Sequence, residues 1–401
     1  MSDRSLLAGV TVLDFTRVLA GPYCTRLMAD LGARVIKIER PGDGDETRHG
    51  VLQLEPGRDD QGTYFVRVNA GKLSVALDLR HPESRAVVLD LARVADVVIE
   101  NFLPGVIANL GCDHATLARV KPDLVYCSIS GFGQTGPLRR SPAFAHIVAA
   151  ISGLMHLERG DHADPGPPYL QAADVLAGTH AFGAIGAALF RRARTGAGAY
   201  LDVSMLEALI AAEDVSFASV LNGGEESPGP RIGMMVHRIG DRYVAMQTVG
   251  APDLWIRLLA VMGRPDLATD ARFATRVARR EHWPALREII GAWLSTFKSV
   301  DDAVATLGAA RLPCAAVLSP AEVVSLPHLA ERDAFPAIPH PSRGRVHVTA
   351  TPFHVDGAAV PPQGPAPYRV GEHTRMVLSE VLGYPPARIE ALVAARAIAA
   401  V

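Results

Sequence analysis

The first 130 residues alternate short apolar runs with helical patterns, and few folds accommodate such an order. Residues 9–15 are an apolar run between turn signals, residues 22–31 have a helical pattern that stops at Gly32, and residues 34–39 are a second apolar run. Two strands joined by a helix form a βαβ unit, for which a parallel sheet is the usual outcome. Further strands are predicted at 74–79, 96–100 and 124–129, and a further helix at 82–94. The pattern predicts an α/β domain with a doubly wound parallel sheet.

An open sheet of this kind binds its ligands in the loops beyond the carboxyl ends of its strands. After the first strand the chain reads RVLAGP (17–22) in place of GxGxxG, which argues against a nicotinamide or flavin cofactor. The loops also carry cationic, amide and aromatic side chains and a glycine-rich segment: Arg17, Arg40, Lys72, Asn101, Phe102 and residues 131–137. Cations beside glycine loops suit a phosphate-bearing ligand. Ordinary surface arginines beside ordinary turns are an equally good explanation.

Residues 170–189 are apolar and rich in small side chains, with Asp174 as their single acid. Asp174 precedes a run of helix formers, where the helix dipole favours the charge of an N-cap or first-turn acid. Gly178, Gly183 and Gly186 each cost a helix about 1 kcal/mol relative to Ala, which suggests that another group closely approaches this backbone. A capping role and a chemical role for Asp174 both remain open on these residues alone.

The second half of the chain predicts a smaller α+β domain. Residues 223–231 are linker-like, and residues 234–239 and 242–249 form a predicted hairpin about Gly240, followed by helical patterns. Before this domain, a helical pattern over 144–157 carries His146 on an otherwise apolar face. A lone histidine in such a place is more often a core residue than a functional one.

Composition excludes several classes of protein. The chain has 401 residues, of which 49% are apolar and 20% charged, so it can bury a large core in two domains. A net charge of −2 argues against a general nucleic-acid binder, and the apolar runs look too short and interrupted to span a bilayer. The four cysteines lack the spacing of a disulfide framework or a metal site. Without a secretory h-region near the N-terminus, a cytoplasmic location is expected.

Seven stretches resemble the class III CoA-transferases, a family that includes formyl-CoA:oxalate and carnitine CoA-transferases and the related 2-methylacyl-CoA racemases. They are VLDFTRVLAGPYCTRLMADLGARVIKIERPGDGD (12–45), GKLSVALDL (71–79), ADVVIENFLPGV (95–106), SISGFGQTGP (128–137), the Asp174 segment, TGAGAYLDVSMLEA (195–208) and GEHTRMVL (371–378). One such motif would be weak, whereas seven in the right order are highly specific.

The resemblance implies a large Rossmann-like domain, residues 1–222, completed by residues 335–401. Residues 223–334 then form the small α+β domain with its linkers. It also implies a homodimer in which two ring-like chains interlock, with neither nucleic acid nor a membrane as a partner.

For Asp174, the resemblance implies the role of nucleophile. A carboxylate attacks a thioester carbonyl to give an aspartyl–acyl anhydride and CoA thiolate, and the thiolate then forms an aspartyl-CoA thioester. An acceptor acid takes the CoA from that thioester. CoA thioester is thus a substrate, and neither a tightly bound cofactor nor a metal is expected.

The resemblance also assigns positions that bind CoA, namely Arg17, Val18, Ala20, Arg40, Lys72, Asn101, Phe102 and Val106. Arg40 and Lys72 are the expected phosphate partners. The family often has an arginine after the ENF triplet or near residue 109, where this chain has Leu103 and Asn109. Arg139 or Arg140 could replace that contact.

A 2-methylacyl-CoA racemase is the alternative within the family, since it needs an acid and a base on opposite faces of the α-carbon. The racemase His–Asp pair aligns with Phe144 and Ala145, and its small-domain glutamate aligns near residues 247–251, which read QTVGA. The absence of the His–Asp pair and of the glutamate favours the transferase. His146 and Gly250 are then candidates for orienting the substrate. Some transferases place a glycine-rich flap where this chain has Gly250 as the one glycine, so a flexible flap is not expected here.

A non-catalytic CoA-binding protein is the alternative from another class, and retention of Asp174 among small residues argues against it. Arg139, Arg140, His146 and Arg231 together could favour a small dicarboxylic acid as the acceptor, on residue type alone.

Overall fold

The structure is a computed structural model that describes residues 5–50, 52–159, 164–213, 215–226, 233–247 and 252–400. The chain divides into two compact units. The larger comprises Met1–His156, Gly166–Glu226 and Pro327–Val401, and the smaller comprises Leu157–Pro165 and Ser227–Leu326. The division predicted from sequence has a large domain of 1–222 with 335–401, and it does not separate residues 157–165.

The first part of the larger unit alternates strands and helices as the pattern predicts. Its elements are β1 (Thr11–Asp14), α1 (Ala20–Asp30), β2 (Arg34–Glu39), α2 (Thr63–Asn69), β3 (Leu73–Leu77), α3 (Pro82–Val94), β4 (Val97–Glu100), α4 (Val106–Asn109), α5 (His114–Leu117) and β5 (Val125–Ser130). A 3₁₀ helix, Glu46–His49, lies between β2 and α2. All five strands begin and end within two residues of their predicted positions. Helix α2 was not predicted from the sequence.

The next elements surround the Asp174 segment. They are α6 (Ala145–Ile151), α7 (Leu154–Glu158), α8 (Ala172–Thr195), β6 (Ala199–Ser204), α9 (Met205–Ile210) and α10 (Ser216–Leu221). The single helix predicted over 144–157 is wrong, because the chain breaks at Ser152 and Gly153. Gly153 adopts a left-handed φ of 82°, and the Ser152 Oγ donates to Ala149 O and accepts from the Leu154 N–H. These local bonds replace the helical ones.

The smaller unit is α+β. It contains β7 (Met234–Ile239), β8 (Arg242–Gln247), α11 (Pro252–Met262), a 3₁₀ helix (Pro265–Ala268), α12 (Arg276–Glu281), α13 (Trp283–Leu294), α14 (Val300–Ala309), β9 (Cys314–Ala316) and α15 (Pro320–Val323). Strands β7, β8 and β9 form an antiparallel sheet in that order. Its core includes five side chains with no exposed surface, those of Val244, Leu258, Phe273, Leu286 and Ile290.

The chain then returns to the larger unit through α16 (Pro327–Glu331), β10 (Ala337–His340), β11 (Gly344–His347), β12 (His354–Val355), β13 (Ala358–Ala359), α17 (Thr374–Met376), a π-helical turn (Val377–Val381), α18 (Pro386–Ala394) and β14 (Ile398–Ala399). Strands β10 and β11 form a hairpin that packs on Phe65 and Val66 of α2. Strand β14 pairs antiparallel with β3, so the C-terminal residues join the main sheet.

The main sheet has the order β14-β3-β2-β1-β4-β5-β6, and all pairs except β14–β3 are parallel. Successive residues are buried on opposite faces: Leu13 and Ile36 pack with the α3 side, and Val12 and Val35 pack with the α1 and α8 side. The strand order reverses at β1, whose neighbours are β2 and β4. Ligands bind at such a switch point, beyond the carboxyl ends of the strands.

Helix α8 is, among the described helices, the one long and apolar enough to span a membrane by length and composition. The prediction that no segment is long enough is therefore wrong for this segment. This remains weak evidence for a membrane, because core helices of other proteins pass the same test. In this fold, the buried side of α8 packs in the core between β5 and α1.

Candidate active site

Asp174 lies in the first turn of α8, as predicted. Its carboxylate lies near its own backbone N–H and near the N–H of Ala20, the first residue of α1. Burial raises the pKa of Asp174 to about 6, although these two N–H groups act to lower it. The carboxylate is therefore weakly solvated, and it is largely ionised only above pH 6.

A close approach of the backbones places Ala20 beside Asp174. A Cβ added to Gly178 would lie 2.4 Å from Ala20 O, so α1 and α8 can meet here only because residue 178 is glycine. The close approach predicted from the glycines is thus confirmed at Gly178. At Gly183 and Gly186 an added Cβ would meet no atom within 4 Å, so the prediction is wrong for those two.

The loop between β1 and α1 has an unusual backbone. Val18 adopts a φ of 67°, in the left-handed region that β-branched residues avoid. Asn101 holds the preceding residue: its Oδ1 accepts the Arg17 N–H at 2.9 Å, and its Nδ2 donates to Arg17 O at 2.8 Å. Asn101 therefore fixes the loop as well as lining the site.

A cavity of about 280 Å³ adjoins Asp174. The residues predicted to bind CoA or substrate that line it are Arg17, Val18, Ala20, Asn101, Phe102 and Arg139. Ser130, Gly131 and Phe144 complete part of the wall. The volume suits a small organic acid or the acyl end of a thioester rather than a whole nucleotide.

A second cavity, of about 790 Å³, lies beyond the carboxyl ends of β1, β2 and β3. It shares Arg17, Glu46 and Phe102 with the smaller cavity, so the two are neighbours. The guanidinium of Arg17 lies 5.3 Å from the Phe102 ring centroid and 2.7 Å from Glu46 Oε1. Arg40 and Val106, two of the predicted CoA-binding positions, line the larger cavity.

Arg40 projects from the end of β2 into this larger cavity. Its side chain is 68% exposed and pairs with Asp43. Arg80 lines the same cavity, but it is not among the positions predicted from the sequence to bind CoA. The sequence signal for it is a cation just beyond the carboxyl end of β3. A phosphate group can therefore meet two arginines here.

The structure contradicts the predicted contact between Lys72 and a phosphate. Lys72 is 2% exposed, and its Nζ lies 3.2 Å from Asp14 Oδ2 and donates to Pro22 O and Asn69 Oδ1. Burial lowers the pKa of Lys72 to about 8, with Asp14 acting against that effect. The reason is topological: Lys72 precedes β3, whereas ligands meet a parallel sheet after its strands.

The remaining candidates differ in position. Arg139 lines the Asp174 cavity, but neither Arg140 nor His146 is among the described residues that line the two cavities. His146 is exposed on α6, not part of a core, and its ring is stacked on Phe144 at 6.3 Å between centroids. Gly250 and Arg231 lie outside the described residues.

Tyr64 is a neighbour of Asp174 that the sequence does not reveal. Burial raises the pKa of its phenol to about 12, and the negative charge of Asp174 adds to this shift. The phenol therefore stays protonated at neutral pH as a potential hydrogen-bond donor. It lies on α2, for which there was no prediction. Within the described part of the chain, no group of three or more His, Cys, Asp or Glu residues could hold a metal ion.

Residues 7–374 match the family model described as CoA-transferase family III. The chain belongs to CoA-transferase family III. It is 31% identical to succinyl-CoA:glutarate CoA-transferase from Mus musculus, over 96% of this chain and 88% of that protein. It is 35% identical to acetyl-CoA:oxalate CoA-transferase from Acetobacter aceti, over 91% of this chain and 92% of that protein.

The fold is similar to that of a CaiB/BaiF family protein from Brucella suis, with a TM-score of 0.80 and 30% identity. The similarity covers 94% of this chain and 99% of that chain. These matches confirm the prediction of a transferase whose substrates are CoA thioesters. They favour it over the racemase and over a CoA-binding protein without turnover.

Proposed function

We propose that this family III CoA-transferase moves CoA from an acyl-CoA thioester to a small dicarboxylic acid through covalent intermediates on Asp174. The observation that carries the proposal is the setting of Asp174: a partly buried carboxylate at a helix start, beside a small cavity with an arginine. Weak solvation makes the carboxylate a better nucleophile.

The reaction begins when Asp174 attacks the thioester carbonyl. The C–S bond breaks, which gives a mixed anhydride and CoA thiolate. The thiolate attacks the Asp174 carbonyl of the anhydride and releases the donor acid, leaving an aspartyl-CoA thioester. The acceptor carboxylate attacks this thioester to form a second anhydride and CoA thiolate. Attack of thiolate on the acceptor acyl carbon then gives the new acyl-CoA and free Asp174.

The chain supplies electrostatic help at the reacting carbon. The Ala20 N–H lies near the Asp174 carboxylate, and the start of α8 presents its own positive dipole end. Both can receive negative charge as it develops on the carbonyl oxygen.

For CoA itself, we place the phosphates in the larger cavity at Arg40 and Arg80, and the thioester end in the smaller one. Arg17, Phe102 and Glu46 line both cavities, and they mark the passage between them. Val18 and Ala20 supply apolar contact for the pantetheine arm.

Arg139 is the proposed partner of the acceptor's distal carboxylate, because it lines the Asp174 cavity. Relatives are named for glutarate and oxalate, which are both dicarboxylic acids. Loss of a charge-assisted hydrogen bond lowers affinity by about 10–100-fold. Arg139→Ala should raise KM for a dicarboxylic acid by that factor and leave KM for a monocarboxylic acid unchanged. Arg140→Ala is the matched control, and an equal effect of both variants would contradict the assignment.

We also infer a homodimer, as the resemblance to the family implies. Phe144, Ile147 and Ile151 expose 60%, 45% and 50% of their surfaces on one side of α6, and Phe190 of α8 exposes 65%. Such apolar surface is typical of an interface. The interlocked arrangement and the cytoplasmic location stay predictions.

Peptide mass spectrometry after incubation with an acyl-CoA tests the proposal. We expect a CoA adduct on the peptide with Asp174, absent in Asp174→Ala and retained in Glu83→Gln, a control at an exposed helix start. Proton exchange at the α-carbon of a 2-methylacyl-CoA without an adduct would show a racemase. Binding of acyl-CoA with neither outcome would show a protein without turnover. A panel of acyl-CoA donors and organic acids then identifies the pair.

A further inference from the structure

The loop between β1 and α1 rests on a buried ion pair. Lys37 is 1% exposed and Asp45 is 2% exposed, and Lys37 Nζ lies 2.9 Å from Asp45 Oδ2. Lys37 Nζ also donates to Thr16 O at 2.7 Å, and Asp45 Oδ1 accepts the Val18 N–H at 3.3 Å. The pair therefore holds the backbone on both sides of Arg17.

The position of Asp45 is itself fixed by neighbours. Its Oδ1 accepts the Thr47 N–H at 3.0 Å and the Thr47 hydroxyl at 2.7 Å. Its own N–H donates to Glu39 Oε2 at 3.0 Å, and Arg48 holds Glu39 through two further bonds. The carboxylate thus presents its oxygen atoms to Val18 and Lys37 in one orientation.

Both members of the pair are charged. Burial acts to raise the pKa of Asp45, but Lys37 and Thr47 outweigh it and hold that pKa well below its usual range. Burial acts to lower the pKa of Lys37, and Asp45, Asp14 and Glu39 outweigh it, so its pKa is raised. The interaction therefore persists across the pH range in which Asp174 titrates.

The backbone conformation of Val18 explains why the loop needs these stabilising contacts. Its φ of 67° is strained for a β-branched side chain, and such strain persists only when the surroundings maintain it. Two residues later the chain reaches Ala20, which lines the same cavity as Asp174 and whose N–H acts to lower the pKa of that carboxyl. A loop that relaxed at Val18 would redirect that donor.

We propose that Lys37 and Asp45 are positioning residues, which hold Val18 in the left-handed conformation and so aim the Ala20 N–H at the carboxylate of Asp174. The inference rests on the proposed role of Asp174 as nucleophile. Both residues line the larger cavity, and neither is among the described residues that line the Asp174 cavity. Misplacement of a catalytic group by about 1 Å costs on the order of 100-fold in rate, so the pair matters despite its distance from the chemistry.

Asp45→Asn tests the inference directly. We expect kcat/KM to fall about 10–100-fold, and the acid limb of its pH profile to move to higher pH. The limb moves because the Ala20 N–H, which lowers the pKa of Asp174, is turned away. Arg17, Glu46 and Arg139 line the Asp174 cavity and stay unchanged in this variant. Asp45 acts to raise the pKa of Tyr64, and that effect is lost with its charge.

Asp30→Asn is the matched control for loss of a buried ion pair. Asp30 is 1% exposed and lies 2.9 Å from Arg26 at the other end of α1, remote from Val18. Burial raises the pKa of Asp30 although Arg26 acts to lower it, so stability is not the readout of this control. Its acid limb should be unchanged. Thr47→Val gives a milder form of the test if Asp45→Asn does not fold: it removes one donor to Asp45 and should move the acid limb in the same direction by less.

A double-mutant cycle with Val18→Gly isolates the strained loop. Glycine adopts a positive φ without strain, so Asp45→Asn should cost several-fold less in the Val18→Gly background than alone. An unchanged acid limb in both Asp45→Asn and Thr47→Val, or equal costs in both backgrounds, would overturn the inference while the CoA adduct on Asp174 remained. Absence of that adduct in the unmodified enzyme would instead overturn the proposed function.

Discussion

The carboxylate of Asp174 is held in a setting that favours its neutral form. Its first-turn position fits a helix cap, as the sequence allows, but burial raises its pKa to about 6 where a simple cap would lower it. Structural and chemical roles therefore predict opposite effects when the charge is removed.

Asp174→Asn should stabilise the enzyme at neutral pH. The folded-state pKa is raised above the unfolded value, so ionisation in the folded state costs free energy that appears as pH rises from about 4 to 6. The variant should gain about 1–2 kcal/mol in free energy of unfolding above pH 6, after a discount for partial exposure, and nothing below pH 4. Urea unfolding at several pH values measures the difference.

Glu83→Gln is the control, because Glu83 is an exposed acid in the first turn of α3. It should lose up to about 0.5 kcal/mol at pH 7 through the weaker dipole interaction. If Asp174→Asn were also less stable than the unmodified enzyme at pH 7, Asp174 would be mainly a cap.

At the scale of elements, the contact of α1 with α8 builds the site. Both helices begin at the site, with Ala20 and Asp174 in their first turns. Gly178 lets the two backbones meet, while Gly183 and Gly186 face open space. The same helix thus contains a glycine that packing requires and two that it does not.

Gly178→Ala and Gly183→Ala should therefore have opposite effects on stability. The first places a Cβ 2.4 Å from Ala20 O, which forces the helices apart and costs about 1–3 kcal/mol. The second meets no atom within 4 Å and should gain up to about 1 kcal/mol from helix propensity. Thermal unfolding measures both, and Gly178→Ala should also lower kcat because Ala20 moves from Asp174. Equal effects would contradict the packing described.

At the scale of the whole molecule, the two units differ in where their charges lie. The larger unit buries Asp14, Glu39 and Asp45 with cationic partners, and the pKa of each is lowered because those partners outweigh burial. In the described part of the smaller unit, the fully buried side chains are apolar. The pKa of Asp270 there is lowered to about 2 by Arg272, but this pair is exposed and screened by solvent.

Acid should therefore weaken the larger unit more than the smaller one. A carboxyl whose folded-state pKa is lowered stabilises the fold above its unfolded pKa of about 4, and this contribution is lost as pH falls further. Protonation of Glu100 and Asp174, whose pKa values are raised to about 7 and 6, acts in the opposite direction above pH 5. Asp30, whose pKa is also raised by burial, acts in that same opposite direction. Between pH 5 and 3, hydrogen exchange corrected for intrinsic rates should show greater loss of protection in β1–β3 than in α13. Parallel losses would refute this difference.

The sequence by itself determined strands β1–β5 and helices α1 and α3 of the larger unit. Apolar runs and helical periodicity are local properties, and β1–β5 follow them within two residues. The ordered motifs also determined the family and the importance of Asp174. These features need no knowledge of which distant segments meet.

Only the tertiary structure decided which charged side chains face the ligand. Lys72 is buried against Asp14, whereas Arg80 lies on the cavity, and residue type does not distinguish these positions. The pKa of Asp174 likewise depends on distant segments, because burial raises it and the N–H of Ala20, about 150 residues earlier in the chain, acts to lower it. Burial is set by contacts between segments far apart in sequence, and such contacts leave no local pattern that the sequence can show.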